Sequence, residues 1–129
     1  KVGSGHSMKL LHNSVCHGIF LMMCEIGHLG EEMGINLNDL IETFNVSNAR
    51  SFISEHRFPN HILNKKFNGD SYLKNLKKDL DMIESISNKR KNSNNYIQLT
   101  NKLLKNFNKN YDNHDFTELY KLWQNNIKK

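Results

Sequence analysis

The sequence predicts an all-α domain built around a long first helix, and three observations carry that reading. Proline occurs once in 129 residues, so little interrupts a helical backbone. From Gly5 to Met33 apolar residues recur at steps of three and four, the helical period. Nowhere does the apolar–polar alternation of a half-buried strand persist, and no internal repeat is visible.

The first helix should run from about Gly5 to Met33. Met8, Leu11, Val15, Ile19, Met22, Ile26, Leu29 and Met33 form one stripe, and Leu10, Cys16, Phe20, Met23 and Cys24 form a second. A helix apolar on most sides is expected to be buried on most sides, which makes this the central element. Gly18, Gly27 and Gly30 cost helix propensity and are expected to admit close neighbours. Gly34 is a natural C-terminal cap. Asn36, with Asp39 three residues on, should open a second helix carrying Leu40, Ile41 and Phe44. A third should follow Ser47 and stop before Pro59, because the residue ahead of a proline avoids helical geometry. Residues 58–70 then read as a loop. A fourth helix is expected from Asp70 or Ser71, with Leu73, Leu76, Leu80 and Ile83 inward and Lys78 turned away from that stripe. Residues 88–95 read as a polar loop. A fifth helix, Tyr96 to Asn108, should bury Ile97, Leu99, Leu103, Leu104 and Phe107, and a sixth should start at Asp115 with Phe116, Leu119, Leu122 and Trp123.

The formal net charge is +5, carried by lysines mixed with many asparagines. No basic patch interleaved with aromatic residues appears, so neither nucleic acid nor a membrane surface is the expected partner. The apolar stretch is broken by His17, Glu25 and His28, which argues against a membrane span. Cys16 and Cys24 lie two helical turns apart, too far for a disulfide, and read as buried free thiols of a reducing, cytoplasmic compartment. Cys24 and His28 are spaced i, i+4, but two ligands make no metal site, so none is expected. His56 and His61 read as surface residues, and Arg50 and Ser51 as residues that cap and tie helices.

Chemistry concentrates at the head of the first helix, in GSGHSMKLLHN (Gly3–Asn13). Lys9 and Asn13 share a helix face, which Cys16 and Phe20 continue into the apolar run. A lysine so placed should be partly desolvated, and desolvation disfavours its ammonium form. A lysine tuned in that way exchanges protons with a substrate. Asn13 offers a donor and an acceptor for a hydroxyl or carboxylate. Gly3 and Gly5 leave the backbone open to approach.

These residues resemble the start of the C-terminal domain of the β-hydroxyacid dehydrogenases, the family of 3-hydroxyisobutyrate and 6-phosphogluconate dehydrogenases. Their motif has the form G-x-G-x-x-x-K-x-x-x-N. LKNLKKDL (Leu73–Leu80) is similar to the family's L-x-L-x-x-K-D-L segment. EIGHLGEEMGIN, NVSNARS and DNHDFTEL resemble three further family segments in the same order. The resemblance implies that Lys9 is the catalytic acid/base, that Asn13 binds substrate with Gly5 beside it, and that Lys78 reaches the cofactor. It implies reversible oxidation of a small 3-hydroxy acid, 3-hydroxyisobutyrate-like, to its semialdehyde with NAD or NADP. It also implies association as a homodimer or homotetramer. His12–Asn13 follows the 6-phosphogluconate branch, but Cys16 stands where that branch carries the glutamate used in decarboxylation. The family's dinucleotide loop follows a strand, and Gly3-Ser4-Gly5 does not. Residues 1–129 are therefore expected to be the all-α C-terminal domain of a longer enzyme, inactive without an N-terminal Rossmann domain absent from this chain. The competing expectation is a non-catalytic helical oligomerisation module.

Overall fold

A computed structural model describes residues 3–127. It is all-α, as expected: α1 (Ser4–Glu32), α2 (Leu37–Asn45), a π-helix (Ile53–Leu63), α3 (Leu73–Asn88), α4 (Asn95–Lys105) and α5 (Leu119–Asn126), with short 3₁₀ turns at Lys109–Tyr111 and Phe116–Glu118. The described residues hold no strand, only an isolated antiparallel bridge between Tyr72 and Asp115.

At 29 residues, α1 is about 43 Å long and is the axis on which the other helices pack. Gly34 takes a left-handed conformation at its end (φ 81°), with Gly34 N–H on the Glu31 carbonyl and Ile35 N–H on that of Gly30. That pair of bonds satisfies carbonyls the helix leaves open and turns the chain. Asn36 caps α2: its side-chain oxygen accepts from Asn38 N–H at 2.8 Å and Asp39 N–H at 3.3 Å.

The two stripes of α1 have different fates. Leu10, Phe20, Leu21, Met23 and Cys24 enter the core. Met8, Leu11, Val15, Met22, Leu29 and Met33 stay exposed, Met8 and Met33 each at 69%. The helix is therefore buried on one side, not on most sides. The packing of α2 to α5 covers a single face of a rod longer than they are.

Phe20 is the hub of the core. Its ring meets Phe116 edge-on at 5.1 Å and Phe58 at 6.2 Å, and Phe58 in turn meets Tyr120 edge-on at 5.6 Å. These contacts join α1, the π-helix and the chain around α5. Trp123 and Phe107 pack together at 6.0 Å.

The helix expected to stop before Pro59 instead runs through it. Residues 53–63 form a wide π-helix with Pro59 inside. In a wider turn the carbonyl that would clash with the proline ring is displaced, which is how such a turn tolerates the residue. Burial of Ile53, Phe58 and Ile62 holds the segment in place. The loop after it takes left-handed conformations at Lys65, Phe67 and Asp70. Asp115 fastens this loop, accepting from Asp70 N–H at 3.0 Å and from Thr117 N–H at 3.0 Å. Ser71 and Tyr72 are engaged with the chain at 114–116, so α3 starts at Leu73, slightly later than expected. Its stripe of Leu73, Leu76, Leu80 and Ile83 is buried, as expected. In α4 Leu99 is exposed rather than buried, and Asn101 takes the inward position, its amide nitrogen donating to Asp81 at 2.9 Å. The last helix begins as a 3₁₀ turn and becomes α-helical at Leu119.

Gly27 marks a tight helix crossing on α1. A Cβ there would lie 2.9 Å from Tyr120 Cε2 and 3.2 Å from Leu37 Cδ1. Gly27→Ala should therefore destabilise the fold by about 1–3 kcal/mol, the usual cost of overpacking a dense core. A urea titration reads this directly, and an unchanged midpoint would show that the crossing yields freely.

Candidate functional site

The polar head of α1 meets α3. Lys9, Asn13 and His17 follow one another at steps of four and so line one side of the helix. Across from them α3 presents Asp79, one residue before the buried Leu80. Asn13 Nδ2 donates to Asp79 Oδ2 at 2.9 Å, and His17 Nε2 lies 3.3 Å from the same oxygen. On the outer side Asn13 Oδ1 is 3.2 Å from His12 Nδ1. The site is thus a chain of polar contacts, His12–Asn13–Asp79–His17, running from solvent into the interface between α1 and α3.

His17 is largely withdrawn from water. Burial pushes its imidazole below the ordinary histidine range, outweighing the hydrogen bond to Asp79 and the negative charge there, which pull it up; the nearby His12 pushes it further down. The sign of the consequence is fixed. Between the unfolded pKa of about 6.5 and the lower folded value, the unfolded chain binds the extra proton, so stability rises with pH. The contribution is complete above the unfolded pKa and is lost as pH falls through the folded one. Chemical denaturation at pH 7.5 and pH 5.5, values chosen to bracket a pKa of about 6.5, should show the wild-type chain weaker at the lower pH. His17→Gln should flatten that difference. Equal slopes in both proteins would place the effect elsewhere.

Lys9 is exposed. The partial desolvation expected of it is not supplied by this fold, because the apolar interior begins one residue later, at Leu10, on a different side of the helix. Gly5 is exposed too, and a Cβ there would meet nothing within 4 Å, so no packing in the described residues requires a glycine. Cys16 is only half-buried, contrary to the reading of both cysteines as buried. Its sulfur faces the His12 ring at 3.7 Å, while Cys24 is fully enclosed and its thiol is pushed up by burial. His28 does not pair with Cys24. Its Nε2 lies 2.7 Å from the Tyr120 carbonyl oxygen, and its ring stacks on that of Tyr120 at 4.2 Å.

The lysine pair of α3 divides. Lys77 turns inward, donating to Asp112 Oδ1 at 2.6 Å and the Phe107 carbonyl at 2.7 Å, and so ties α3 to the segment after α4. Lys78 turns outward, as the helical period requires, and has no hydrogen-bond or ion-pair partner among the described residues. Its ammonium, next in sequence to Asp79, is uncommitted and fits a cation offered to an anionic ligand.

The sequence alone gives neither His17 nor Asp79 a place in the site. The signal was present. His17 is the third member of the Lys9–Asn13 series, whereas Cys16 and Phe20 belong to the neighbouring stripe.

An apolar groove of about 740 Å³ lies elsewhere, between α1, α3 and α4. Leu11, Val15, Met22, Ile83, Ile97 and Leu99 are among its walls, and neither Lys9 nor Asn13 borders it. None of the helices described is long and apolar enough to cross a membrane.

Two comparisons with known proteins bear on this arrangement. No curated protein matches the chain. The sequence model of a family described as the NAD-binding domain of NADP-dependent 3-hydroxyisobutyrate dehydrogenase matches residues 3–123, from the glycine ahead of α1 to Trp123 in α5. With nearly its whole length so matched, and with an all-α fold around one long first helix, the chain belongs to the C-terminal domain family of the 3-hydroxyisobutyrate and related β-hydroxyacid dehydrogenases.

Proposed function

We propose that this domain forms the substrate half of the active site of an NAD- or NADP-dependent dehydrogenase that reversibly oxidises a small 3-hydroxy acid to its semialdehyde. The observation that carries this reading is the Lys9–Asn13–Asp79 arrangement with Lys78 beside it: an exposed amine and a tethered amide on α1, and on α3 a cation without a partner among the described residues. When bound, the nicotinamide supplies the hydride acceptor. The chain's own residues have three tasks. Lys9 takes the proton from the substrate hydroxyl during oxidation and returns it during reduction, which needs its Nζ within about 2.6–3.2 Å of that oxygen in the closed complex. Asn13 holds the substrate by hydrogen bonding. Lys78 offsets negative charge on the cofactor side. Lys9 is open in this domain, so the exclusion of water that favours its neutral form comes from closure of substrate, cofactor and a dinucleotide-binding domain over the head of α1. Half-buried Cys16, in contact with His12, has no carboxyl to offer, which favours simple oxidation over the decarboxylating branch.

The test is a screen of the complete protein against small 3-hydroxy acids with NAD and with NADP, followed by the absorbance of the reduced nicotinamide. Reduction with 3-hydroxyisobutyrate or a close homologue is expected. Reduction with none of them, by a folded protein, would remove the reading.

The exposed stripe of α1 supports a second role for the same domain. Met8, Leu11, Val15, Met22, Leu29 and Met33 make an apolar surface along nearly the whole helix, of a kind monomers rarely leave open. It is proposed to seat a second copy of the chain, giving a homodimer or homotetramer. Val15→Asp with Met22→Asp should convert the assembly to monomers in light scattering; an unchanged mass would place the interface elsewhere.

A further inference from the structure

Asn13 can meet a ligand with its carbonyl oxygen or with its amide, and the neighbouring residues decide which. A carboxylate only accepts hydrogen bonds, so contact with Asp79 Oδ2 at 2.9 Å requires Asn13 to present Nδ2. The Asn13 carbonyl then points the other way, to the side where His12 Nδ1 lies at 3.2 Å. Asp79 is itself held. His17 Nε2, on the inner side, is 3.3 Å from the same oxygen, and toward a carboxylate that nitrogen serves only as a donor. The contact is sheltered, with 15% of the His17 side chain and 22% of the Asp79 side chain exposed. Few rotamers satisfy both residues at once, because α1 and α3 fix their backbones and Leu80, one residue on from Asp79, is buried.

We propose that His17 is a positioning residue: by anchoring Asp79 it locks the Asn13 amide with its nitrogen inward, so that the Asn13 carbonyl oxygen faces the substrate as an acceptor for its hydroxyl. The proposal rests on the dehydrogenase reading above and gives tasks to His17 and Asp79, to which that reading assigned none. It also bears on the choice of ligand. A carbonyl acceptor beside Lys9 suits a group that donates, a substrate hydroxyl, and leaves the acceptor-only substrate carboxylate to other donors. No part of this needs His17 to touch the substrate. Burial favours its neutral form, which still carries the Nε2 proton that the contact demands.

Two measurements test it, one of the contact and one of its use. In the 129-residue chain, NMR titration of His17 should show its midpoint fall in Asp79→Asn, a change that keeps the shape but removes the negative charge, and leaves only a weaker neutral acceptor, where Asp79 holds the midpoint up. An unmoved midpoint overturns the contact. In the complete protein, His17→Leu should lower kcat/KM for 3-hydroxyisobutyrate by about 10–100-fold, the scale of a misplaced orienting group. His17→Gln, which keeps a side-chain donor at the same reach, should recover most of that loss, whereas a residue needed only to fill space would be served by leucine. Equal impairment in both variants, or none in His17→Leu, overturns the positioning role. Loss of activity in Asn13→Ala with full activity in His17→Leu would overturn it while leaving the dehydrogenase reading standing. No turnover by the wild-type protein, with the His17 midpoint still moved by Asp79→Asn, would overturn that reading and the positioning role that depends on it.

Discussion

Lys9→Ala in the complete protein should lower turnover of its 3-hydroxy acid about 10²–10⁴-fold, the range over which a positioned acid/base group contributes. The effect should fall on kcat and kcat/KM together, because proton transfer belongs to the transition state and not to the bound substrate. Stability should move by no more than about 0.5 kcal/mol, since Lys9 is exposed. That contrast separates chemistry from folding. A large loss of rate in a protein that unfolds at the same urea concentration identifies a chemical role. A rate unchanged from wild type would assign proton transfer to another group.

Phe20→Ala should have the largest effect on the fold. Its side chain is 1% exposed and packs against both Phe58 and Phe116, so truncation removes a buried aromatic ring and leaves a cavity where three segments meet. The expected cost is about 3–5 kcal/mol, which is a large part of the stability of a domain this size. Phe20→Leu should recover a substantial share by refilling the space. A loss below about 1 kcal/mol on Phe20→Ala would mean that the core collapses around the gap, and that Phe20 is not its hub.

The architecture was legible because the strongest signals in the sequence were local. The 3.6-residue period placed α1 within a residue at each end. Asn36 and Gly34 act as the caps their chemistry suggested. The stripe of α3 also faces the core as its spacing required. Three features were not legible, each for a physical reason. Periodicity shows that α1 has two apolar stripes but cannot say which one neighbours will cover. The longer and more regular one, through Leu11, Val15 and Met22, turned out to be the open one. The rule that a helix stops before proline assumes ordinary α geometry, and burial of Phe58 and Ile62 around Pro59 stabilises a wider turn that escapes it. The partial desolvation expected of Lys9 rests on the apolar residues that follow it, yet a helix changes sides every residue, and Leu10 takes the interior position.

The site was legible in the same graded way. Spacing put Lys9 and Asn13 on one face, and it placed Lys78 away from the core. The contact that organises them lies between residues 66 positions apart in sequence, Asn13 and Asp79. No local pattern reports such a pairing. His17 stands in view, four residues after Asn13, but in the sequence it marks only a polar break in an apolar stretch. A histidine inside an apolar stretch reads differently once a carboxylate is known to stand opposite.

The central claim is that the Lys9 amine moves the substrate's hydroxyl proton, and chemical rescue tests it most directly. Small primary alkylamines added to Lys9→Ala in the complete protein, with 3-hydroxyisobutyrate and the preferred nicotinamide cofactor, should restore turnover in proportion to amine concentration. Among amines of similar size, the rate should follow their basicity. Lys9→Ala that still binds the hydroxy acid but responds to no amine would contradict the claim.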